Sequence, residues 1–496
     1  MTDADVAAAF ADHRAGRIGE ALAAYHRVLA ARPDHPDALA LAASASRSLG
    51  DTRAAVELGR RAAAVAPERA DVRYNLGNAL SAIGDLAGAV AAFRAALTLD
   101  PAHVDAEANL GLTLSRLGDA AGAEAAYRAA LKRDPGHRMA RVNLGNLLGE
   151  MARPDEGIAT LREVVRREPG LAEGHYDLGL ALLRTGDWSA GFAEYEWRWK
   201  TADFASPPRH TDLPDWDGRP LDGRRLLVHA EQGLGDTLQF VRLLPLAASL
   251  GARITLEAPT VLVRLLTGIS GVEEVSDRVD PAAFVAQTPL LGLPHRLGLT
   301  LGAIPRCAAS LTADPARAAL WRDRLRLDDG DEIVAVAWRG NPNSPADRGR
   351  SLDGAHRLAP LAAPRRRLMA VQKLAADELE RADVPGGWRV ADTGDLVVEH
   401  PGPDFDAGRD AFLDTAAVLA ASDHVVTIDT SLAHLAAALG RPTEILLKRV
   451  ADWRWLEERF DTPWYPTARL HRQTTAGDWS GPVSAAAAAL GRSTRR

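Results

Sequence analysis

The feature that most constrains the fold is a regular spacing of 34 residues between prolines in the first part of the chain. A second marker recurs at the same interval in the middle of each period, and it is glycine everywhere except for one alanine. Proline stops a helix and glycine turns the chain, so each period predicts a pair of antiparallel helices. Pairs that bury their apolar faces on the next pair form a solenoid with a concave surface. The two sets are Pro33, Pro67, Pro101, Pro135 and Pro169, and Gly16, Gly50, Gly84, Gly118, Ala152 and Gly186.

Small residues mark the contact between the two helices of each period. Leu-Gly pairs recur at 76–77, 110–111, 144–145 and 178–179, and alanine recurs at 21, 55, 89 and 123. With an aromatic residue at Phe93 or Tyr127 and the closing proline, the period resembles the tetratricopeptide repeat. We expect about six repeats over residues 1–205, of which the first two and the last are degenerate.

A column of polar residues shares this register. Asn75, Asn109 and Asn143 each precede a Leu-Gly pair, and Asp177 takes the next place. A carboxamide both donates and accepts, so such a ladder can bind an extended peptide acceptor without reading its sequence. The repeat resembles that of the eukaryotic protein O-GlcNAc transferase, in which an asparagine ladder holds the acceptor. The alternative is that asparagine is merely a tolerated polar residue on the first helix.

Composition limits the class of protein. The 496 residues are 47% hydrophobic and 25% charged, which is typical of a globular chain with several domains. A net charge of −7 gives no basic excess for nucleic acid, and the lone Cys307 excludes internal disulfides and a multi-cysteine metal site. The acidic N-terminus lacks the basic region of a secretion signal, and no apolar stretch reaches the roughly 18 residues of a spanning helix. We expect a cytoplasmic protein with no integral membrane segment.

After a proline- and aspartate-rich linker at residues 206–222, strands alternate with helices. Residues 223–310 hold three predicted strands, RRLLVHA, ARITLEA and VEEVSD, with helices near 236–250 and 260–267. Residues 311–475 hold five more, EIVAVAWRG, RRLMAVQK, GWRVADTG, DHVVTIDT and TEILLK. Two Rossmann-like halves of this kind place a ligand cleft at the carboxyl ends of their strands. The alanine-rich residues 476–496 predict a C-terminal helix.

The first of these strands leads into HAEQGLGDTLQF, residues 229–240, where a strand turns into a helix. Leu238 replaces the third glycine of the dinucleotide fingerprint, and no glycine precedes a lysine as an ATP-binding loop requires. NAD and ATP are therefore not the expected ligands. Asp236 has two interpretations: it caps the helix, or it lies at the mouth of a cleft and deprotonates a hydroxyl group.

A similar turn lies in the second half, in VVTIDTSLAHLAAALGRPTEILL, residues 425–447. Asp429, Thr430 and Ser431 fall between strand and helix, and His434 lies one helical turn after Thr430. Free backbone N–H groups and hydroxyls at such a turn can hold phosphate oxygens, and the carboxylate suits a sugar hydroxyl. The alternative is a helix cap with a packed histidine.

Cationic residues follow two other strands of the same half. The loop WRGNPNSPADRGRS, residues 338–351, carries Arg339, Arg348 and Arg350, and Lys373 follows the next strand. These groups could neutralise a diphosphate. The alternative is that the loop is simply solvated.

Together these segments carry a family resemblance. EQGLGDTLQFVRLLP, the arginine loop, DTSLAHLAAALGRPT and DWRWLEERFDTPWYPTARLHRQ look like bacterial tetratricopeptide-repeat glycosyltransferases. Their catalytic region is similar to the heptosyltransferases, glycosyltransferase family 9. The resemblance implies an α-helical solenoid followed by an α/β GT-B fold of two Rossmann-like domains, with the acceptor on residues 223–310 and the nucleotide sugar mainly on 311–475.

The resemblance also implies roles for residues. Asp236 would be the catalytic base for the acceptor hydroxyl. Heptosyltransferases usually have glycine where Ser431 stands and usually lack repeats, and related bacterial proteins with repeats modify flagellin from CMP donors, so the donor stays open. GT-B enzymes commonly use cationic side chains and helix N-termini instead of a metal, and we expect neither metal nor cofactor. The implied nucleotide-sugar residues are Gln232, Gly233, Gly235, Arg339, Arg348, Arg350, Gln372, Lys373, Asp414, Thr415, Asp429, Thr430, Ser431 and His434.

The sequence thus predicts a metal-independent glycosyltransferase that moves a sugar from a nucleotide-sugar donor to a protein recruited by the repeat groove, such as flagellin or another surface protein. One alternative is heptosyltransferase-like transfer to lipopolysaccharide or another surface glycan. The other is a non-catalytic repeat scaffold that carries an inactive transferase-like domain.

Overall fold

Helical hairpins form the first part of the chain and two β-sheets the second. The computed structural model describes residues 3–327, 330–344, 347–408 and 411–493. The chain divides into two compact units, which we call the repeat unit, Met1–Ala181, and the α/β unit, Leu182–Arg496. All eleven tryptophans lie in the α/β unit, the first of them being Trp188.

The predicted solenoid of helix pairs is confirmed. Across the first five helix pairs each helix packs against its successor, and the first helices of neighbouring pairs also touch one another. The helices of the six pairs are α1 Asp3–Arg14, α2 Ile18–Ala31, α3 Pro36–Ser48, α4 Thr52–Val65, α5 Ala70–Ala82, α6 Leu86–Leu99, α7 Val104–Leu117, α8 Ala120–Arg133, α9 Arg138–Glu150, α10 Pro154–Arg167, α11 Ala172–Thr185, which crosses the boundary between the two units, and α12 Trp188–Tyr195, which belongs to the α/β unit.

The small residues act as the spacing suggests. A Cβ built on Gly111 would lie 2.7 Å from the ring of Tyr127, so only glycine allows the two helices of that repeat to approach so closely. The mid-repeat turns take the left-handed backbone conformation, with φ of 87° at Gly118 and 60° at Ala152. Aspartate caps the second helix of several repeats: the carboxylate of Asp119, for example, accepts from the Gly122 N–H at 2.9 Å.

The α/β unit contains two sheets. The first is fully parallel, with strand order β3-β2-β1-β4. The second has the order β12-β11-β10-β5-β6-β9-β8-β7, parallel from β12 to β9 and antiparallel beyond. The strands are β1 Arg225–His229, β2 Arg253–Glu257, β3 Val272–Ser276, β4 Ala286–Pro289, β5 Glu332–Ala337, β6 Arg366–Ala370, β7 Leu379–Arg381, β8 Trp388–Val390, β9 Val398–Glu399, β10 His424–Ile428, β11 Thr443–Leu447 and β12 Ala468–Arg472.

Each of the eight segments predicted as strands contains one, but the antiparallel edge was not anticipated. Only residues 382–387 separate β7 from β8, which is too short for the crossover that a parallel pair needs. The second sheet is therefore mixed. The helices of this unit are α13 Leu234–Phe240, α14 Leu244–Ala248, α15 Thr260–Leu266, α16 Leu293–Arg296, α17 Pro315–Arg324, α18 Leu413–Ala421, α19 Ser431–Ala438 and α20 Ser480–Ser493.

The lead-in to the first sheet is ordered. Trp216 is buried at 2% exposure, and its indole N–H donates to the Arg219 carbonyl at 2.8 Å. The Trp216 N–H in turn donates to the Gln287 carbonyl in β4 at 2.7 Å. Residues 214–216 therefore pair with the edge strand β4 of the first sheet.

Two strands inside the sheets position the candidate site. β1 ends at His229 and is followed by α13, while β10 ends at Ile428 and is followed by α19. Both strands are buried, and both have parallel neighbours on either side. The loops at their carboxyl ends are those that the sequence singled out.

Candidate functional site

Asp236 lies in the first turn of α13 and makes two strong contacts there. Its Oδ2 accepts from the Gly233 N–H at 2.8 Å, which fixes the start of the helix. Its Oδ1 accepts from the Arg454 guanidinium at 2.5 Å, and the side chain retains 19% exposure. The carboxylate is therefore both a helix cap and one half of an ion pair.

The second loop begins α19. Thr430 is the N-cap of this helix, and its hydroxyl accepts from the Leu432 N–H at 3.3 Å. His434 is buried at 5% exposure, with its Nδ1 2.9 Å from the Tyr465 hydroxyl. Its ring stacks on Trp455 at a centroid distance of 5.2 Å. The imidazole is thus held in a fixed orientation.

These two loops meet. A Cβ built on Gly235 would lie 3.0 Å from His434 Cδ2 and 3.4 Å from Ser431 Cα. A side chain larger than hydrogen at Gly235 would therefore push the start of α13 away from α19. The loop that carries Asp236 and the 429–434 turn are therefore neighbours.

Arg454 joins the two loops electrostatically. It is only 7% exposed, and its three guanidinium nitrogens donate to three different side chains. Besides Asp236, it reaches Asp452 Oδ1 at 2.8 Å and Gln239 Oε1 at 2.8 Å. Its guanidinium also lies 4.4 Å from the centre of the Trp453 ring. Because each nitrogen of the planar Arg454 guanidinium donates to a different side chain, Arg454 fixes the positions of its three partners relative to one another.

The protonation states in this cluster are shifted. Burial, reinforced by the charge of Asp452, raises the pKa of Asp429 to about 6, although Arg350 and Arg454 oppose this. Burial also raises the pKa of Asp236 against the opposing effect of Arg454. Burial lowers the pKa of His434 to about 3, so the imidazole is neutral at physiological pH. Shifted groups of this kind concentrate at functional sites.

The arginine loop is only partly free to meet a ligand. Arg339 forms a two-pronged ion pair with Glu378, with both N···O distances 2.5 Å. Arg350 lies beside Asp347 at 3.4 Å, close enough to Asp429 to influence its pKa. Arg348 is exposed. The structure thus brings Arg350 to the cluster, while Arg339 neutralises a carboxylate of the same sheet.

Of the two predicted residues that follow β6, one is used within the fold and the other is exposed. Gln372 is buried, and its side-chain oxygen accepts from the backbone N–H groups of Trp338 and Arg339 at 2.8 and 3.2 Å. Gln372 therefore ties the ends of β5 and β6 together. Lys373 is exposed.

Two predicted residues on α18 serve other contacts. Asp414 accepts from Arg317 and from the Trp321 indole N–H, both at 2.7 Å, which binds α18 to α17. Thr415 is buried and donates to Asp406. Neither side chain is shown in contact with the Asp236–Arg454 cluster, because both are used to anchor their own helix.

The predicted amide column is largely engaged within the repeat unit. Asn109 donates to Asn78 at 2.8 Å, and Asp177 accepts from Asn146 at 2.8 Å. Asn143 forms a hydrogen bond with the Tyr127 side chain. Asn75 lines a groove of about 300 Å³ formed by α1, α3 and α5. Neighbouring repeats thus satisfy part of the hydrogen-bonding capacity that was assigned to a peptide.

The sequence analysis missed several residues of the cluster. Asp452, Arg454 and Trp455 follow β11 in the segment DWRW, and Tyr465 follows in TPWYP. A run of aromatic residues around one arginine after a buried strand is a usable signal, since an arginine there needs partners. Asp236, the partner of Arg454, lies more than two hundred positions earlier in the chain, so the pairing is not visible in the sequence.

Within the described ranges, no group of three or more His, Cys, Asp or Glu side chains is placed to hold a metal ion. None of the described helices combines the length and apolar character that crossing a bilayer requires.

Comparison with known proteins identifies the repeats. Tetratricopeptide-repeat family models match residues 11–70, 41–104 and 114–176. The chain therefore contains tetratricopeptide repeats, which in other proteins bind protein partners. It is 27% identical over 337 residues to Protein FlbA of Caulobacter vibrioides (strain ATCC 19089 / CIP 103742 / CB 15), an alignment that covers 63% of this chain. The chain spans about half, 53%, of the length of that relative.

Two solved structures each resemble a part of the chain. TTC0263, a thermophilic TPR protein in Thermus thermophilus, is 24% identical with a TM-score of 0.33, covering 36% of this chain and 98% of that one. PilW, a type IV pilus biogenesis factor, is 21% identical with a TM-score of 0.37, covering 40% and 90%.

Proposed function

We propose that the chain is a glycosyltransferase that moves a sugar from a nucleotide-sugar donor to a protein acceptor recruited by the repeats. The observation that carries the proposal is the convergence of Asp236 and the Asp429–His434 turn on one charged cluster around Arg454. The sequence resemblance to glycosyltransferase family 9 runs through these same segments. Two sheets whose central strands end at these loops also suit a GT-B arrangement, with the donor on the second sheet.

The donor would bind at the start of α19. The positive N-terminal end of α19, together with the cationic Arg350 and Arg348, suits the oxygens of a nucleotide phosphate. Those groups would stabilise the negative charge that develops on the nucleotide as it leaves. The neutral His434 adds no positive charge of its own, and it fixes the turn by its contact with Tyr465.

The acceptor hydroxyl would be activated by Asp236. As the hydroxyl oxygen bonds to the anomeric carbon, the bond from that carbon to the donor phosphate breaks and the nucleotide takes the electron pair. The hydroxyl proton passes to the carboxylate. Gly233 and Arg454 occupy one acceptor site on each oxygen of Asp236, and a carboxylate offers about four, so a hydroxyl can still bind.

A non-catalytic scaffold is the second candidate. Two observations favour it: the family matches fall within residues 11–176, and Asp236 already has a structural role as a helix cap. In this case the repeats alone would carry the function by binding proteins.

The test uses the full chain and a panel of UDP, GDP, ADP and CMP sugars. Thermal shift identifies the donor, because a ligand at a hundred times its Kd adds about 2.7 kcal/mol to stability. With the labelled donor, wild-type protein should transfer sugar to a protein acceptor. Asp236→Asn should retain the thermal shift and lose at least 100-fold in kcat, whereas the control Asp212→Asn, at an exposed carboxylate, should match wild type.

The outcomes separate the candidates. Label on lipopolysaccharide or another glycan instead of protein would favour the heptosyltransferase-like alternative. A donor shift with full turnover in Asp236→Asn would leave Asp236 as a helix cap only. The absence of any donor shift, with protein partners retained, would make the chain a scaffold.

A further inference from the structure

The residues just after the last helix pair carry a buried charge network. Arg198 lies in the turn Glu196–Lys200, and its side chain is completely buried. It binds Glu231 with two prongs, Nη2 to Oε1 at 2.8 Å and Nε to Oε2 at 3.2 Å. It also donates to Glu196 at 2.6 Å, and Glu196 in turn pairs with Arg296 at 2.9 Å. One guanidinium therefore ties three segments of the α/β unit together.

Glu231 is the point at which this network reaches the candidate site. Its side chain is 2% exposed, and its Oε1 also accepts from the Leu291 N–H beyond β4 at 3.2 Å. Gln232 comes next, and its amide Nε2 donates to the Tyr195 hydroxyl at 2.9 Å. Two successive residues are thus fixed by side chains from the segment 195–198.

The fixed residues lead directly to Asp236. Gln232 has a φ of +59°, the left-handed conformation that residues other than glycine adopt at a cost. Gly233 follows, and its N–H is the group that Asp236 accepts from. The direction of that N–H depends on the backbone of Glu231 and Gln232, so the contacts of Arg198 and Tyr195 determine how the carboxylate is held.

A purely stabilising role does not explain a buried ion pair here. Removing two charges from water costs about as much as their attraction returns, and apolar residues of similar size often stabilise a core as well. A fork-shaped guanidinium instead specifies one geometry of its partner. Glu231, which belongs to this network, lies directly before Gln232 and Gly233, whose backbone determines how the Asp236 carboxylate is held.

We infer that Arg198 is a positioning residue for the Asp236 loop, acting through Glu231. The expected effect on kcat rests on the proposed transferase function, whereas the expected effect on the conformation of the Asp236 loop does not. The α/β unit then needs the segment 195–198 as well as residues 223–496. A fragment that begins at residue 206 would lack this support, which agrees with the start of the compact α/β unit at Leu182.

The test compares Arg198→Met with Arg198→Lys and a matched control in the full chain. The control is Arg367→Met, because Arg367 forms a similar two-pronged pair with Glu399, at 2.7 Å for both contacts, in the second sheet. With the donor identified by thermal shift, Arg198→Met should lower kcat at least tenfold and leave the donor KM within twofold. Arg198→Lys should recover part of the loss, and Arg367→Met should retain wild-type kcat.

Hydrogen exchange supplies a readout that needs no activity. In Arg198→Met the amides of residues 230–236 should exchange at least tenfold faster, while those of residues 424–435 should remain unchanged. Unchanged exchange at 230–236 in a folded Arg198→Met protein, or in Arg198→Lys should Arg198→Met fail to fold, would overturn the inference. If the wild-type protein had no transferase activity but residues 230–236 still exchanged faster in Arg198→Met, the inference would be supported and the proposed function rejected.

Discussion

Replacing Asp429 with asparagine should make the α/β unit more stable at neutral pH. Burial and the neighbouring Asp452 raise the pKa of Asp429 to about 6, from an ordinary value of 3.8. The folded protein therefore holds the proton more tightly than the unfolded chain, and stability is lost as pH rises from about 3.8 to about 6. Asparagine keeps the size of the side chain and has no charge to bury, so it should not lose stability in this way.

The magnitude follows from the two pKa values. Above pH 6 the whole difference between the folded and unfolded pKa values of Asp429 lowers the stability of the wild-type protein. It corresponds to about 3 kcal/mol in the free energy of unfolding, which Asp429→Asn should recover. At pH 4.5 the folded form is already protonated and the unfolded form mostly ionised, so the expected gain shrinks to about 1 kcal/mol. The signature is thus a stabilisation that grows with pH.

Tryptophan fluorescence isolates the unit concerned, because all eleven tryptophans lie at residue 188 or later. Urea denaturation would be followed in this way at pH 4.5 and pH 7.5 for wild type, Asp429→Asn and the control Asp212→Asn. The control should show no pH-dependent gain, since its carboxylate is exposed. If Asp429→Asn were no more stable than wild type at pH 7.5, or equally stabilised at both pH values, the charge of Asp429 would not be the cause.

Four further substitutions test the repeat unit by far-UV circular dichroism during urea denaturation. Ala152→Gly should stabilise it by about 0.5–1 kcal/mol because Ala152 has a φ of 60°, which a residue with a Cβ adopts at a cost. Gly118→Ala at the matching turn, where φ is 87°, should destabilise it by a similar amount. If both substitutions changed the stability in the same direction, strain at these turns would not be the cause. Gly111→Ala should cost about 1–3 kcal/mol, since the new Cβ would meet the ring of Tyr127 at 2.7 Å, and a neutral result would mean that the helices separate easily. Burial raises the pKa of Asp177 to about 6, so Asp177→Asn should be stabilising at pH 7.5 and nearly neutral below about pH 4; a gain independent of pH would refute this.

The repeat unit could be predicted in detail because its contacts are short-range in sequence. Gly111 meets Tyr127 within the same period, and Asn109 meets Asn78 in the preceding one. A marker that recurs every 34 residues therefore reports a contact that also recurs. Eight of the twelve described strands were predicted for the same reason, since their residue patterns are recognised within a few positions. The antiparallel edge of the second sheet depends instead on which strands pair, and no short segment specifies that pairing.

The candidate site was predicted only in pieces. Asp236 and His434 were chosen from loops after strands, and the structure brings their loops together. Asp414 was implied by the family resemblance, yet it contacts Arg317 and Trp321 on α17. The difference lies in the direction of each side chain on its helix, which depends on the packing of neighbouring elements.

The sequence by itself determined the period of the helix pairs, eight of the twelve described strands, and the loops that carry ionisable groups. These follow from local rules of turn formation and burial, which act over a few residues. Only the tertiary structure decided that Arg454 pairs with Asp236 and that Arg198 binds Glu231. A buried charge needs an opposite charge close to it in the folded protein. Which residue supplies that charge depends on the fold, because the residues between the two partners do not specify the pairing.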